Sequence, residues 1–259
     1  MAEIIEAKHA EQAGHWYDDK GRPAYTIIGK NGKERNTTLR DARALNLVPS
    51  VTSIIRLAAA QGLENWKQEQ TILACLTLPI IHNENEQETE AEYIARIKQD
   101  AKAQSQKAAQ KGTEIHAKVQ GGFEGKEGSS YYASTKKCLD EALQPQVWIP
   151  ERSFACDGYG GKVDLSCEGF VVDLKSTDKD LATIKTWDEH TLQLSAYRHG
   201  LGMDAARCFI LYVHIKTAES KLIEIEPELL EKGWKMFAAL LQYFYAKTGL
   251  NKPLTAPII

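Results

Sequence analysis

The sequence predicts an α/β fold, a mostly helical first half followed by a sheet with helices against it. Three observations predict it. Residues 63–77, 89–119 and 131–144 have helical character with recognisable start and stop signals. From Val147 the chain changes to short runs of strand-forming residues separated by turns. The last segment then returns to a helical apolar period. We divide the chain into 1–145, a mostly helical region with a small hairpin, and 146–259, the sheet-bearing core, expected to form one compact unit.

In chain order, Asp19-Lys20-Gly21 and Lys30-Asn31-Gly32 are turn signals around the short run Ala24–Ile28, a small hairpin. Val48-Pro49-Ser50 is a turn entering a helix. The helix over 63–77 is ended by Pro79. Thr89 and Glu92 have the spacing of a capping box and start a long helix, expected to stop near Val119 before Gly121-Gly122. Trp148–Ala155, Gly161–Cys167 and Phe170–Lys175 read as strands. A helix at 188–200, strands at 206–216 and 219–225, and a closing helix at 227–247 follow. Pro227 suits the start of that last helix and Gly249 its end. Its stripe of Leu230, Trp234, Phe237, Leu241 and Phe244 reads as core.

Composition sets bounds. The chain has 259 residues, 43% apolar and 26% charged, with a formal charge of -3 from 32 basic and 35 acidic residues. That is ordinary globular composition and gives no electrostatic announcement of nucleic-acid binding. The charge is segregated, however. Five acids lie within 84–92, and six bases against two acids between Arg96 and Lys118. No apolar run is long enough to span a membrane, and the first residues lack a signal-peptide core, so a cytoplasmic protein without membrane partners is expected. The cysteines (Cys75, Cys138, Cys156, Cys167, Cys208) form no CxxC pair, and their spacing indicates neither a disulfide framework nor a metal cluster. They read as small buried hydrophobes.

The segment that carries chemistry is Glu151 to Lys175. With Glu168-Gly169 as a two-residue turn, Cys167 pairs with Phe170, Ser166 with Val171, Leu165 with Val172, and Asp164 with Asp173. Strand alternation then puts Lys175 on the face of the two aspartates. Two carboxylates roughly 5 Å apart repel by about 3 kcal/mol at an effective dielectric of ~20. A divalent cation would compensate, and oxygen ligands favour magnesium or manganese. A neighbouring lysine would hold or activate water, which together is the equipment for metal-assisted phosphodiester hydrolysis. Taken alone, an Asp and a nearby D-x-K are common, and the same residues read first as surface aspartates on a solvated hairpin.

Gly161-Lys-Val-Asp164, Val172-Asp173-Leu-Lys175-Ser176 and Gln193-Leu-Ser-Ala-Tyr197 follow in the order of the PD-(D/E)XK nucleases. With Gly112-Thr-Glu-Ile-His116 upstream, they resemble the branch containing the RecB nuclease domain and Cas4. Val48-Pro-Ser-Val-Thr52 is similar to a stretch of the mitochondrial genome maintenance exonuclease and its phage relatives. The resemblance spans roughly residues 48–197. It implies a restriction-endonuclease-like core, a central mixed sheet flanked by helices, with a helical N-terminal elaboration. It also implies roles. Asp164 and Asp173 would be metal ligands for Mg2+ or Mn2+, with the Leu174 carbonyl and His116 as further ones. Lys175 would be the catalytic lysine, oriented by Gln193, with Tyr197 near the DNA and Glu151 at an acidic position of the branch. Glu151 reads as readily as an exposed strand glutamate, and His190, on the same helix stripe, as structural. The cysteine cluster of Cas4 is absent, so no iron–sulfur cluster is expected, and without a Walker-A pattern no nucleotide cofactor.

The expected function is a metal-dependent DNA exonuclease of recombination, repair or replication, acting on single-stranded or frayed ends in a bacterial cell or phage-infected host. A recombination or single-strand-binding protein is a further partner consistent with that role. The alternatives are a structure-specific endonuclease and a non-cleaving DNA-binding module of nuclease fold. For holding DNA, Lys107 and Lys111 lie four apart on one helix, either a phosphate-binding face or a solvated one. Ser50, Thr52 and Ser53 are either phosphate donors or a helix cap. Trp16, Tyr17 and Trp66 are candidates for stacking on bases.

Overall fold

The computed structural model describes residues 4–5, 15–58, 61–81, 88–126 and 128–250. Glu84 and Glu86 of the acidic run lie outside them. The elements in order are β1 (Ile4–Ile5), β2 (Trp16–Tyr17), β3 (Thr26–Ile28), β4 (Glu34–Asn36), α1 (Leu39–Leu45), β5 (Val48–Pro49), α2 (Val51–Ile55), α3 (Gln61–Thr77), α4 (Glu90–Phe123) and α5 (Ser130–Leu143). The second half follows with β6 (Ile149–Cys156), β7 (Tyr159–Cys167), β8 (Phe170–Thr177), α6 (Asp188–Gly200), β9 (Arg207–His214), β10 (Ser220–Ile225) and α7 (Pro227–Thr248). The chain forms two units, Met1–Ala58 with Lys118–Ile259, and Ala59–Ala117.

The first unit is built on a five-stranded mixed sheet in the order β10-β9-β8-β7-β6. Its β8–β9 pair is parallel and the others antiparallel. A parallel neighbour needs a crossover, and α6 supplies it between β8 and β9. The architecture is the mixed sheet with flanking helices that the resemblance implies. In β9, Cys208, Ile210 and Tyr212 join the core formed with Leu194 of α6 and Leu230, Phe237 and Leu241 of α7. Phe209, Leu211 and Val213 alternate with them and are buried too. A strand covered on both faces reads as a continuous apolar run, and Cys208-Phe-Ile-Leu-Tyr-Val213 does. Alongside, α5 is tied to the β9–β10 end of the sheet, where the Tyr131 hydroxyl donates to the Ile215 carbonyl at 2.8 Å.

The Glu168-Gly169 hairpin has the expected register, with Leu165↔Val172, Ser166↔Val171 and Cys167↔Phe170 paired. The expected hairpin around residue 30 is β3–β4. One boundary differs: α4 continues through Gly121-Gly122 to Phe123. A Cβ on Gly122 would fall 2.1 Å from the Tyr132 ring, so this glycine marks close packing against α5. Of the stacking candidates, Trp16 and Tyr17 are buried, in a two-stranded pairing with β5. Packing, the ordinary fate of an apolar ring, removes their faces from solvent.

The second unit contains α3 and most of α4. The Thr89 backbone N–H donates to Glu92 Oε2 at 2.9 Å and the Glu92 N–H to Thr89 Oγ1 at 3.3 Å, the expected capping box. Tyr93 of α4 donates to the Leu78 carbonyl at 3.1 Å, and Arg96 pairs with Glu88. These contacts hold the two helices as a hairpin. No described helix is long and apolar enough to cross a membrane.

Candidate active site

Asp164 lies near the middle of β7, Asp173 and Lys175 on β8, and Gln193 and Tyr197 on α6, all in the sheet-bearing unit. The β7–β8 ladder stops at Leu165↔Val172, one residue short of the expected Asp164–Asp173 pair. There Asp164 Oδ2 accepts the Leu174 backbone N–H at 2.7 Å. A side-chain carboxylate thus takes over a buried donor that would otherwise need a partner. That bond fixes Asp164 against the strand carrying Asp173.

Asp173 is only 2% exposed. Lys175 Nζ stands 2.7 Å from its Oδ2 and donates to Gln193 Oε1 at 3.0 Å. Gln193 Nε2 in turn donates to the Tyr197 hydroxyl at 2.8 Å. The result is a continuous line from carboxylate to ammonium to amide to phenol. Alternation along β8 aims Asp173 and Lys175 the same way, and the four-residue spacing on α6 puts Gln193 and Tyr197 on one face. Burial works against the charge on Lys175, but the Asp173 and Asp164 carboxylates outweigh it and hold its pKa above the ordinary lysine value. Burial and then the same two carboxylates push Tyr197 well above the usual phenol range, so it stays a neutral hydroxyl.

The close approach of α6 to β7 depends on Gly161. A Cβ there would lie 2.8 Å from the Phe154 ring and 2.9 Å from Tyr197 Cε1. Gly160 beside it gives the same clearance to Tyr17, whose hydroxyl is 2.6 Å from that of Tyr25. Two adjacent glycines therefore let two tyrosines, Tyr17 and Tyr197, pack against β7. The Gly161-Lys-Val-Asp164 signature flagged this position, whereas nothing in the sequence pointed to Tyr25.

Glu151 forms an ion pair with Lys162, which flanks Asp164 on β7. Its φ of 53° is in the left-handed region, which a non-glycine residue inside a strand rarely adopts. Ser50 is the N-cap of α2, accepting from the Ser53 N–H at 3.0 Å, and is itself buried; its hydroxyl is also 3.0 Å from Thr52 Oγ1. His116, Lys107 and Lys111 lie on α4 in the other unit, Lys111 beside Glu114 at 3.6 Å. Cys167 and Cys208 are buried as expected, but Cys75 is exposed and Cys156 half-buried. Among the described residues, the group of three His, Cys, Asp or Glu ligand atoms within 4.8 Å of one another is Cys156, Asp157 and His199. The Asp164–Asp173 pair is not part of such a group. It offers two carboxylates, and the Leu174 carbonyl or water would have to complete a coordination sphere there.

His190 supports the site from behind. Its Nδ1 accepts the Trp187 N–H at 3.2 Å and lies 3.2 Å from the Tyr212 hydroxyl. Burial, and then the charge of Lys175, lower its pKa to about 3. In the unfolded chain it titrates near ~6.5. The folded state therefore binds fewer protons between these values, so the neutral His190 contributes stability above pH ~6.5 that is lost as pH falls toward 3. We expect the urea midpoint to drop on acidification through this window, and His190→Gln to flatten that part of the profile. An unchanged slope in the variant would show that His190 does not carry it.

The sequence matches no protein-family model and no curated protein. Among solved structures it is similar to an alkaline exonuclease from Laribacter hongkongensis. The identity is 12%, 77% of this chain and 89% of that one are covered, and the TM-score is 0.41. It is also similar to a protein from Eubacterium rectale provisionally assigned as an exonuclease, at 15% identity over 55% and 70% of the two chains, with a TM-score of 0.37. At these scores the likeness carries no functional weight, and the geometry of the site has to.

Proposed function

We propose that this protein is a metal-dependent nuclease that hydrolyses phosphodiester bonds in DNA, with Asp164, Asp173 and Lys175 at its centre. The observation that carries the proposal is the line Asp173–Lys175–Gln193–Tyr197 beside an Asp164 fixed on the Leu174 N–H. A merely structural ion pair needs one carboxylate for one ammonium. Here two carboxylates act on Lys175, one of them almost wholly buried, and the other lysine near Asp164, Lys162, is already paired with Glu151. The surplus negative charge suits a divalent cation, and the all-oxygen donors suit magnesium or manganese.

Asp164 and Asp173 would hold that cation, which supplies charge neutralisation at the phosphate and a more acidic water. The residues of this chain do the rest. Gln193 orients the Lys175 ammonium, which then positions the attacking water and stabilises the charge that develops on the phosphate oxygens. Tyr197, a neutral hydroxyl, fixes Gln193 by accepting from its Nε2. Thr52 and Ser53, at the entry of α2 in the same unit as the carboxylates, would add polar contacts to the phosphate backbone, and Lys107 and Lys111 on the helical unit would bind DNA in a salt-sensitive way.

Action at ends of single-stranded or frayed DNA, in recombination, repair or replication, is the finer reading. The test uses end-labelled linear single- and double-stranded DNA beside closed circular single strands, with Mg2+, Mn2+ or EDTA. Metal-dependent loss of the linear substrates alone supports an exonuclease. Cutting of the circles would assign an endonuclease, and binding without cleavage under every metal condition would overturn the enzymatic reading.

A further inference from the structure

The β6–β7 hairpin reverses through Asp157-Gly158, with Cys156 paired to Tyr159 at its end. Both turn residues have positive φ, 45° and 85°, as a tight two-residue hairpin turn requires. The turn presents the Cys156 thiol and the Asp157 carboxylate side by side, with Sγ 3.2 Å from Oδ2. From the last turn of α6, His199 brings Nε2 to 3.3 Å from the same Oδ2. Its other ring nitrogen, Nδ1, lies 3.1 Å from Asp204 Oδ1. The ring is held on the Trp234 indole with centroids 4.0 Å apart.

A neutral imidazole donates through one nitrogen only. With Nδ1–H on Asp204, the Nε2 lone pair faces Asp157 and Cys156, three electron-rich atoms drawn together. A carboxylate on the outer nitrogen and a free inner lone pair is also how metal-binding histidines are oriented. Zinc bound at about 2.3 Å to sulfur and about 2.0 Å to nitrogen and oxygen, tetrahedrally, separates its ligand atoms by about 3.3 to 3.5 Å. The Sγ–Oδ2 and Nε2–Oδ2 separations of 3.2 and 3.3 Å are already close to that.

We propose that Cys156, Asp157 and His199 form a zinc site, with Asp204 holding His199 from behind and water in the fourth position. The thiolate selects a soft ion over magnesium, so this site and the Asp164–Asp173 site take different metals. Its structural effect is to clamp the tip of the hairpin carrying Asp164 to the helix carrying Gln193 and Tyr197. Burial, then Asp157, push the Cys156 thiol up to about 12. Zinc therefore displaces a proton from it on binding.

The test is titration of the metal-stripped full-length protein with Zn2+ against a chromophoric chelator, and with Co2+ followed by absorption. We expect one equivalent of zinc and a thiolate-to-cobalt charge-transfer band. Cys156→Ser should remove the band, and both it and His199→Gln should weaken zinc binding at least about 100-fold. Asp204→Asn should weaken it about 10- to 100-fold. Asp173→Ala should change none of this, which separates the site from the nuclease centre. Circular dichroism of each variant confirms that it is folded. Absence of the cobalt band, or zinc binding that survives in folded Cys156→Ser, would overturn the proposal and leave His199 as a hydrogen-bonded bridge between Asp157 and Asp204.

Discussion

Lys175→Ala is expected to lower the rate of DNA cleavage roughly 100- to 1,000-fold, the usual cost of removing one preorganised charge at a reacting centre. The substitution also tests the assignment through stability. In the folded protein the Lys175 ammonium lies 2.7 Å from the Asp173 carboxylate, which is only 2% exposed. Removing it leaves two carboxylates in one site without their cation, and an uncompensated buried charge is strongly destabilising. The metal-free variant should therefore melt at a lower temperature than the wild type. Mg2+ should raise its Tm by more than it raises that of the wild type, because a ligand that binds only the folded state stabilises it in proportion to its affinity, and no ammonium now competes for Asp173. Thermal scans with and without Mg2+, beside the cleavage assay, check both halves. Full activity in the variant would remove Lys175 from the mechanism, and an equal Mg2+ shift in the two proteins would separate the cation from Asp173.

Much of this site follows from local rules. The period of a strand and the two-residue turn at Glu168-Gly169 are enough to place Asp173 and Lys175 on one side, next to the strand of Asp164. The period of a helix is enough to put Gln193 and Tyr197 on one face. What local rules do not reach is where the pairing ends. The ladder stops at Leu165↔Val172, and Asp164 turns its carboxylate to the Leu174 N–H, an arrangement that neither the turn nor the strand period specifies. The same limit explains the end of α4. Gly121-Gly122 looks like a stop signal until Tyr132 is known to occupy the space a Cβ would need. It also explains Cys156. Read along the chain, it is a lone cysteine far from any other. His199 comes to it only because the β6–β7 hairpin meets the last turn of α6. Spacing rules detect ligands on one element and are blind to those brought together by packing. Likewise Trp16 and Tyr17, plausible stacking residues by type, are committed to the core through β2–β5 pairing.

Asp173→Asn should abolish cleavage without the loss of stability expected for Lys175→Ala. The amide keeps the shape of the side chain but loses the charge that, with Asp164, would hold the cation. The loss of activity should be at least as large as for Lys175→Ala, since it removes metal binding as well as the partner of the lysine. In the absence of metal, however, the variant relieves the confrontation of two carboxylates and removes a buried charge. Lys175 still has Asp164 nearby and its bond to Gln193, so its ammonium is not stranded. The metal-free Tm should stay level or rise, which is the trade expected where a site is strained for function. Mg2+ should then produce little further shift. Because the Cys156 site would select a soft ion, Mg2+ isolates the carboxylate pair from any zinc effect. A clear Mg2+-induced rise in Tm for Asp173→Asn would place the cation elsewhere, and a fall in its metal-free Tm as large as that of Lys175→Ala would mean that Asp173 and Lys175 form a stabilising ion pair, with no surplus of charge for a metal to neutralise.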